Sequence, residues 1–311
     1  MVRNRKYPAI SMSGCQCSAG AAAKHINLNR MVVSFHPIFV ADMNIICAGR
    51  EPGHDDLAAI ESANAVILPQ GCRRSLYEAA RANCANVFPN YDAKFKYPGK
   101  TGQIKLFQNI NVCHPATEIY SDIASFQTKY DQNPNPLRLQ YPFVFKLDWG
   151  GEGDTVYLIN STQDLHKILE QTAEFEKSGQ SGFLLQEYVP SNKRTLRVVV
   201  IGRRITSYWR IQQHTGDFHT SLSKGGVIDS TAQPELQDRA IAVVNQVCRK
   251  TGINLAGFDV IFSSEFDDPE PMLLEINYFF GRKGLGGSEA YYRILQDEIR
   301  AWLDEILLNE I

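Results

Sequence analysis

An α/β region followed by an α+β region is the fold class this chain predicts, on three observations. Short apolar runs alternate with helical patterns over roughly residues 31–115. A Pro/Asn-rich break, Gln132-Asn-Pro-Asn-Pro136, interrupts the chain in its middle third. From Gly182 onward apolar strand patterns follow one another, interrupted by a single long helical pattern. Strand–helix alternation argues for a small, largely parallel sheet, and strands in direct succession for an antiparallel sheet with helices on one side.

The elements follow in order. Met1 to Arg30 has no sustained period and is rich in Ala, Ser, Lys and Arg. It is expected to be a disordered leader, or an over-long start, with the fold beginning at about Met31. Val32–Val40, Asn44–Cys47, Ala65–Leu68 and Asn86–Phe88 read as strands, and Asp55–Ala63 and Arg73–Ala82 as amphipathic helices between them. A helix at Thr101–Ile110 precedes Cys113-His-Pro-Ala-Thr117, where proline breaks the pattern. Phe143-Val-Phe-Lys146 reads as a strand, followed by a Gly-rich turn, a strand at Thr155–Ile159 and a helix from Ser161 to Lys177 with a capping sequence. The later strands are Phe183–Val189, Leu196–Ile201, Arg204–Arg210, Leu255–Phe262 and Met272–Asn277. The intervening helix, Pro234 to Lys250, carries apolar positions at Leu236, Ala240, Val243, Val244 and Val247 and a stop at Gly252.

At 311 residues the chain holds two or three lobes with cores of their own. Apolar content of 44% and charged content of 21% are those of a soluble globular protein, and a net charge of −2 lacks the basic footprint of a nucleic-acid binder. No apolar run is long enough to span a membrane. Seven scattered Cys, an odd number, read as reduced thiols of a cytoplasmic protein.

The most informative stretch is Pro271-Met-Leu-Leu-Glu275-Ile-Asn277. Alternation along a strand sends Glu275 and Asn277 to one face and Leu274 and Ile276 to the other. Asp259 stands alone in a second apolar run, Leu255–Phe262. Two acids and an amide with no basic neighbour are costly to bury together. Hard divalent cations with oxygen ligands, usually Mg²⁺ shared with substrate phosphates, remove that cost. Lys146 ends a strand and is followed by Gly150, Gly151 and Gly153, a composition that suits an anion-cradling loop or a hairpin with a strand-end lysine. Gly99-Lys100-Thr101 fails as a P-loop because Lys94 stands where the first glycine belongs, and Gly281–Gly287 does not match the Rossmann fingerprint. Gln186-Glu187-Tyr188-Val189 ends a strand before Pro190, a break whose backbone suits an adenine edge or a strand leaving its sheet.

Taken together and in this order, Lys100, Lys146 with its glycines, Gln186–Val189, Arg197 and Arg210, Asp217-Phe218 with Gly225-Gly226, Asp259 and Glu275-x-Asn277 resemble the ATP-grasp superfamily. The likeness is to the branch of glutathione synthetase and the RimK-type glutamate ligases. The resemblance implies an ATP-grasp fold: after the leader at 1–30, a pre-ATP-grasp α/β domain at 31–115 and an ATP-grasp domain at 116–311. The last would divide into a lid subdomain (116–185) and a metal-binding subdomain (186–311). It also implies an enzyme, an ATP-dependent carboxylate–amine or carboxylate–thiol ligase working through an acyl-phosphate, with ATP and one or two Mg²⁺ (or Mn²⁺). Lys100 and Lys146 would contact the ATP phosphates, Gly150, Gly151 and Gly153 would cover them, and Gln186, Glu187, Tyr188 and Val189 would line the adenine pocket. Asp259, Glu275 and Asn277 would hold metal. Arg210, assisted by Arg197 and Lys146, would stabilise the transferring phosphoryl and the acyl-phosphate.

The implied partners are small-molecule or peptide carboxylates and amines, without nucleic acid or membrane; a homo-oligomer is compatible with the sequence. A hydroxyl-phosphorylating kinase of the same fold and a non-catalytic ATP-binding protein are the rival readings. The chain departs from the glutamate-ligase pattern at four places. Thr195 replaces an Asp, and Ser221 an Asn. Tyr278-Phe-Phe-Gly281 with Arg282 and Lys283 replaces a small-Pro-Gly turn. Ser191-Asn-Lys193 offers no carboxylate for the ribose. These changes leave the metal and phosphate residues intact and bear on the acceptor site, where Arg282 and Lys283 suit an anionic substrate or form a solvated loop. His36, Asp42 and Arg50, polar residues at strand ends, are expected near the acceptor pocket.

Overall fold

The computed structural model describes residues 30–47, 49–131, 138–151, 153–213, 220 and 225–308. Readings that fall on the leader, on the Pro/Asn break, on Asp217-Phe218 and on Ser221 lie outside the described residues. Three sheets organise the rest. The first contains β1 (Val32–Ser34), β2 (Met43–Asn44), β3 (Ala65–Ile67) and β4 (Val87–Phe88), all parallel, in the order β2-β1-β3-β4. Helices α1 (His54–Ser62) and α2 (Arg74–Asn83) connect its strands. The first strand is shorter than its apolar run. Ser34 turns the chain back, its hydroxyl donating to the Phe39 carbonyl at 2.7 Å while the His36 N–H donates to it at 3.1 Å, just before the donor-less Pro37.

After α3 (Asp92–Lys96) and α4 (Gly99–Asn109) comes an antiparallel sheet of β5 (Thr117–Tyr120), β6 (Phe143–Leu147), β7 (Val156–Ile159) and β8 (Phe183–Glu187), ordered β5-β8-β6-β7. Helices α5 (Ile123–Asp131) and α6 (Thr162–Lys177) cover its outer face. The expected cap of α6 is present: Ser161 accepts from the Asp164 N–H at 3.2 Å. Asp148, one residue past β6, accepts from the Thr101 N–H at 2.7 Å and so caps α4 from another sheet. Gly99, at φ +69°, makes that approach possible, because a Cβ there would lie 2.5 Å from Asp148 Oδ1.

The third sheet is also antiparallel: β9 (Arg194–Ile201), β10 (Arg204–Gln212), β11 (Gly226–Asp229), β12 (Leu255–Ile261) and β13 (Met272–Asn277), ordered β11-β10-β9-β12-β13. Helix α7 (Pro234–Thr251) ends at Gly252 in the left-handed conformation, as its sequence predicts. Its residues Ala240, Val244 and Val247 pack on Val198, Val200, Phe258 and Val260, in a core that also holds Val33, Val66, Ile104 and Phe107. The expectation of helices on one side of this sheet is wrong. Helix α8 (Ser288–Leu308) lies on the opposite face, with Tyr291, Leu295 and Ile299 against Val199, Ile201 and Leu255. Among the described residues no helix is long and apolar enough to cross a membrane, and Cys47, Cys72, Cys84, Cys113 and Cys248 are free thiols.

The face of the third sheet that α8 covers continues past the helix as a polar surface. Along β9 and β12 residues alternate, so Val199 and Leu255 lie under α8 while Arg197, Asp259 and Ile261 reach an open cleft opposite the second sheet.

A polar cleft between two antiparallel sheets

One cleft, about 320 Å³, is lined from both sheets and the connection between them. Its apolar end is built from Val144, Val156, Val189, Ile261 and Leu274, beside the strand exit Gln186–Val189. An apolar lining with a few polar groups beside it is the usual character of a small-molecule site. Lys146 projects into the cleft from β6, buried, its Nζ donating to Gln186 Oε1 at 2.6 Å. Gln186 is oriented in turn by donating to Thr117 Oγ1 at 3.0 Å, a link that nothing in the sequence pattern announces. Burial lowers the Lys146 pKa to about 8, with Lys100 adding to the shift and Glu275 and Asp259 opposing it.

Lys100, on the first turn of α4, donates to the carbonyls of Trp149 at 2.9 Å and Gly150 at 3.1 Å. It thus holds the start of the loop between β6 and β7, in which Gly150 and Gly153 adopt positive φ. Thr155 Oγ1 donates to the same Trp149 carbonyl at 2.6 Å. Lys100, Lys146, Gly151 and Gly153 all line the cleft; Gly150 shapes the loop without lining it.

Asp259, Glu275 and Asn277 come together as the sequence predicts, but two premises need correction. Register opposes Asp259 to Glu275 and Gly257 to Asn277. Just past Asp259 the pairing slips, with Val260 opposite Leu273, so β13 bulges at Leu274. Strict alternation fails there: Leu274 turns into the cleft beside Glu275, while Leu273 and Ile276 remain in the core. The second premise, that the acids lack basic neighbours, also fails. Arg197 reaches across from the adjacent strand, Nε to Asp259 Oδ1 at 2.5 Å and Nη2 to Oδ2 at 3.2 Å, and Arg210 Nη2 lies 2.9 Å from Oδ1. Burial by itself would raise the Asp259 pKa, but the two guanidinium groups hold it below the ordinary value. Gly257 leaves room for this pair, since a Cβ there would lie 2.9 Å from Arg197 Nη1.

Glu275 is the acid without a hydrogen bond or ion pair among the described residues. Burial and then Asp259 push its pKa up, against the pull of Lys146 and Lys100. Its partnerless carboxylate, facing a second carboxylate and an amide, is a hard oxygen donor set of the kind Mg²⁺ or Mn²⁺ takes. Asp259 Oδ1 already accepts two short contacts, whereas Oδ2 accepts only 3.2 Å bonds from Arg197 and from Asn277 Nδ2. Oδ2 is therefore the oxygen Asp259 would offer a metal, and Asn277 would have to turn its amide oxygen inward. On these terms the residues fit a divalent cation. Among the described residues no group of three His, Cys, Asp or Glu side chains gathers to bind one.

Arg210 and Arg197 differ in what they leave free. Arg197 has both faces of its fork on Asp259. Arg210 is oriented by Thr195, whose hydroxyl accepts from Nη2 at 3.0 Å and shares a 2.6 Å bond with Thr220, but its Nε is buried with no partner. A buried guanidinium donor left open beside two lysines suits an anionic ligand. Phe279 and Gly281 line the same mouth, and Phe279 is 72% exposed. Of the residues expected near the acceptor, Arg50 is bound to Asp56 and Asp42 accepts from the Val32 N–H at 2.8 Å; neither lines the cleft.

The profile of the family described as "RimK-like ATP-grasp domain" matches residues 100–298. A probable alpha-L-glutamate ligase of Pectobacterium carotovorum subsp. carotovorum (strain PC1) is 29% identical over 144 residues, covering 44% of this chain and 45% of that one. The ribosomal protein bS6–L-glutamate ligase of Escherichia coli O7:K1 is 27% identical over 144 residues, 44% of this chain and 46% of that one. The match thus spans less than half the length of these curated relatives. Among solved structures, a RimK domain ATP-grasp protein of Sphaerobacter thermophilus DSM 20745 superposes with a TM-score of 0.54 at 15% identity, over 76% of this chain and 81% of that chain. The D-alanine–D-alanine ligase of Bacillus anthracis complexed with ATP gives 0.55 at 13% identity, over 85% and 87%. These likenesses establish the shared fold.

Proposed function

Because this chain belongs to the RimK-like ATP-grasp family, we propose that it is an ATP-dependent ligase, joining a carboxylate to an amine or thiol through an acyl-phosphate. The observation that carries the proposal is the single cleft in which Lys100, Lys146, Arg197, Arg210, Asp259, Glu275 and Asn277 converge next to an apolar slot. In this reading residues 31–115 are the pre-ATP-grasp lobe, 116–185 the lid and 186–311 the metal-binding part.

The apolar slot holds the adenine, with the Gln186–Val189 exit along its edge. Lys146 and Lys100 meet the phosphates. Since Lys100 also holds the loop carbonyls of Trp149 and Gly150, it links nucleotide to the glycine loop that would exclude water from a hydrolysable intermediate. Glu275, Asn277 and Asp259 Oδ2 would hold magnesium or manganese, which when bound neutralises charge between triphosphate and the incoming carboxylate. Arg197 fixes Asp259. Arg210 offers its open Nε to the oxyanion that develops at the reacting centre. A substrate carboxylate attacks the γ-phosphorus, ADP leaves, and an amine or thiol then displaces phosphate from the acyl carbon. Incubation with ATP, Mg²⁺, hydroxylamine and a panel of acids tests this sequence. A hydroxamate and ADP are expected with the right acid; phosphorylated alcohol without hydroxamate would replace the ligase by a kinase.

Lys146 makes the nucleotide step sensitive to pH. Its pKa of about 8 lies below that of an unfolded lysine, so folding favours the neutral amine between about 8 and 10.4. Over that window this group makes the unliganded chain more stable as pH rises. Phosphates favour the ammonium, so ATP binding should take up a proton there and weaken as pH rises above 8. Titration calorimetry in buffers of different ionisation enthalpy measures the uptake. Lys146→Met should abolish the uptake; its persistence in that variant would assign it to another group.

A further inference from the structure

The crevice at the C-terminal ends of β1 and β3 is left unused by the chemistry above. These two strands are the central pair of a parallel sheet whose order reverses between them, the place where open α/β sheets take ligands. His36 follows β1 and Gln70 follows β3. The loop after Asn277 and the first turns of α8 close the other side. Tyr291 Oη donates to Gln70 Oε1 at 3.1 Å, and Gln296 Nε2 donates to the Ile38 carbonyl at 2.8 Å, so the two walls are held together.

Three donors remain open between those walls. Arg282 lies over the rings of Tyr291 and Tyr292, at 4.6 and 4.4 Å, and donates from Nη1 to Tyr292 Oη at 2.7 Å. Stacking fixes its guanidinium, yet it has no carboxylate partner among the described residues. Gln70 is 5% exposed, and its Nε2 is buried without an acceptor. His36 Nδ1 accepts from the Ile38 N–H at 3.3 Å, which leaves the ring proton on Nε2. Burial and the Arg282 charge lower the His36 pKa to about 4, so the ring is neutral at physiological pH. Gly281, the residue before Arg282, lines the cleft, and a Cβ there would meet nothing within 4 Å.

We propose that Arg282, Gln70 and His36 form a subsite that binds a carboxylate of the substrate, one not consumed in the reaction; this rests on the ligase reading. One guanidinium with two neutral donors matches a single negative charge and the fork geometry of a carboxylate. The orphaned, buried Gln70 Nε2 gains a partner when an acceptor enters. The carboxylate belongs either to an amino-acid acceptor or to the distal end of a dicarboxylic donor. In both cases the subsite places the reacting end toward Gly281 and the cleft.

Saturation-transfer difference NMR on the full chain, with and without Mg·AMP-PNP, separates the possibilities. The probes are the standard L-amino acids, the matching amino-acid amides, and malonate, succinate and glutarate with their diamides. At least one free acid should bind and its amide should not; a hit among amino acids assigns the acceptor, a hit among dicarboxylates the donor. Arg282→Gln should weaken that acid at least ~30-fold, and Gln70→Leu should weaken it less, while binding of a fluorescent ATP analogue stays as in the wild type. Amides binding as well as acids, no acid binding at all, or an unchanged Kd in Arg282→Gln would overturn the subsite. Failure of the wild type to bind the ATP analogue would instead remove the ligase reading, with the nucleotide-free arm still deciding the subsite.

Discussion

Glu275→Gln and Glu275→Ala are each expected to lower kcat by about 10³-fold or more, the scale of losing several kcal/mol of metal-assisted charge neutralisation. Both variants should keep their fold. Glu275 is a carboxylate whose pKa is raised by burial and by Asp259, and it has no partner among the described residues, so removing its charge takes away an unfavourable burial. Urea midpoints equal to or above the wild type are therefore expected beside the lost turnover. The glutamine variant preserves shape, which separates charge from packing. Nucleotide binding gives a readout independent of turnover: Mg²⁺ should strengthen binding of a fluorescent ATP analogue to the wild type and leave binding to either variant unchanged. Full activity in Glu275→Gln would withdraw the metal assignment.

The two arginines on Asp259 should separate function from stability. Arg210→Met is expected to lower kcat by about 10³-fold or more, as loss of an arginine that stabilises a transferring phosphoryl does. Its fold should survive because Asp259 keeps the paired bonds of Arg197. Arg210→Lys should not rescue, since an ammonium cannot donate to Asp259, Thr195 and a substrate oxygen from one planar fork. Arg197→Met should do the opposite first: it strips a buried carboxylate of its two-point partner and costs about 3–5 kcal/mol of stability. Urea denaturation and single-turnover kinetics on both variants check the pattern. A stable Arg197→Met with lost chemistry and an unstable Arg210→Met with normal chemistry would exchange the roles.

The sequence exposed what depends on local chemistry. Parallel and antiparallel regions, the α6 cap, the Gly252 stop and the oxygen set of Asp259, Glu275 and Asn277 were all legible because propensity, capping and residue type act over a few positions. Several elements escaped for the same reason. The Val32 strand stops at Ser34 because a hydroxyl turns the chain, and α8 has no single motif to mark it although it covers a whole sheet face.

What only the tertiary structure decided is which charges meet. Arg197 and Asp259 are 62 residues apart in sequence and directly bonded, because β9 and β12 are neighbours in a sheet. Nothing local predicts that pairing, so a carboxylate that reads as unpaired is in fact neutralised, while Glu275 two strands from Arg197 is not. The same holds for Asp148 capping α4, for the bulge that turns Leu274 into the cleft, and for Gln70 bonded to Tyr291, the ring under Arg282. Residue chemistry fixed which polar and charged groups are available; strand register and packing at long range fixed which of them pair with one another.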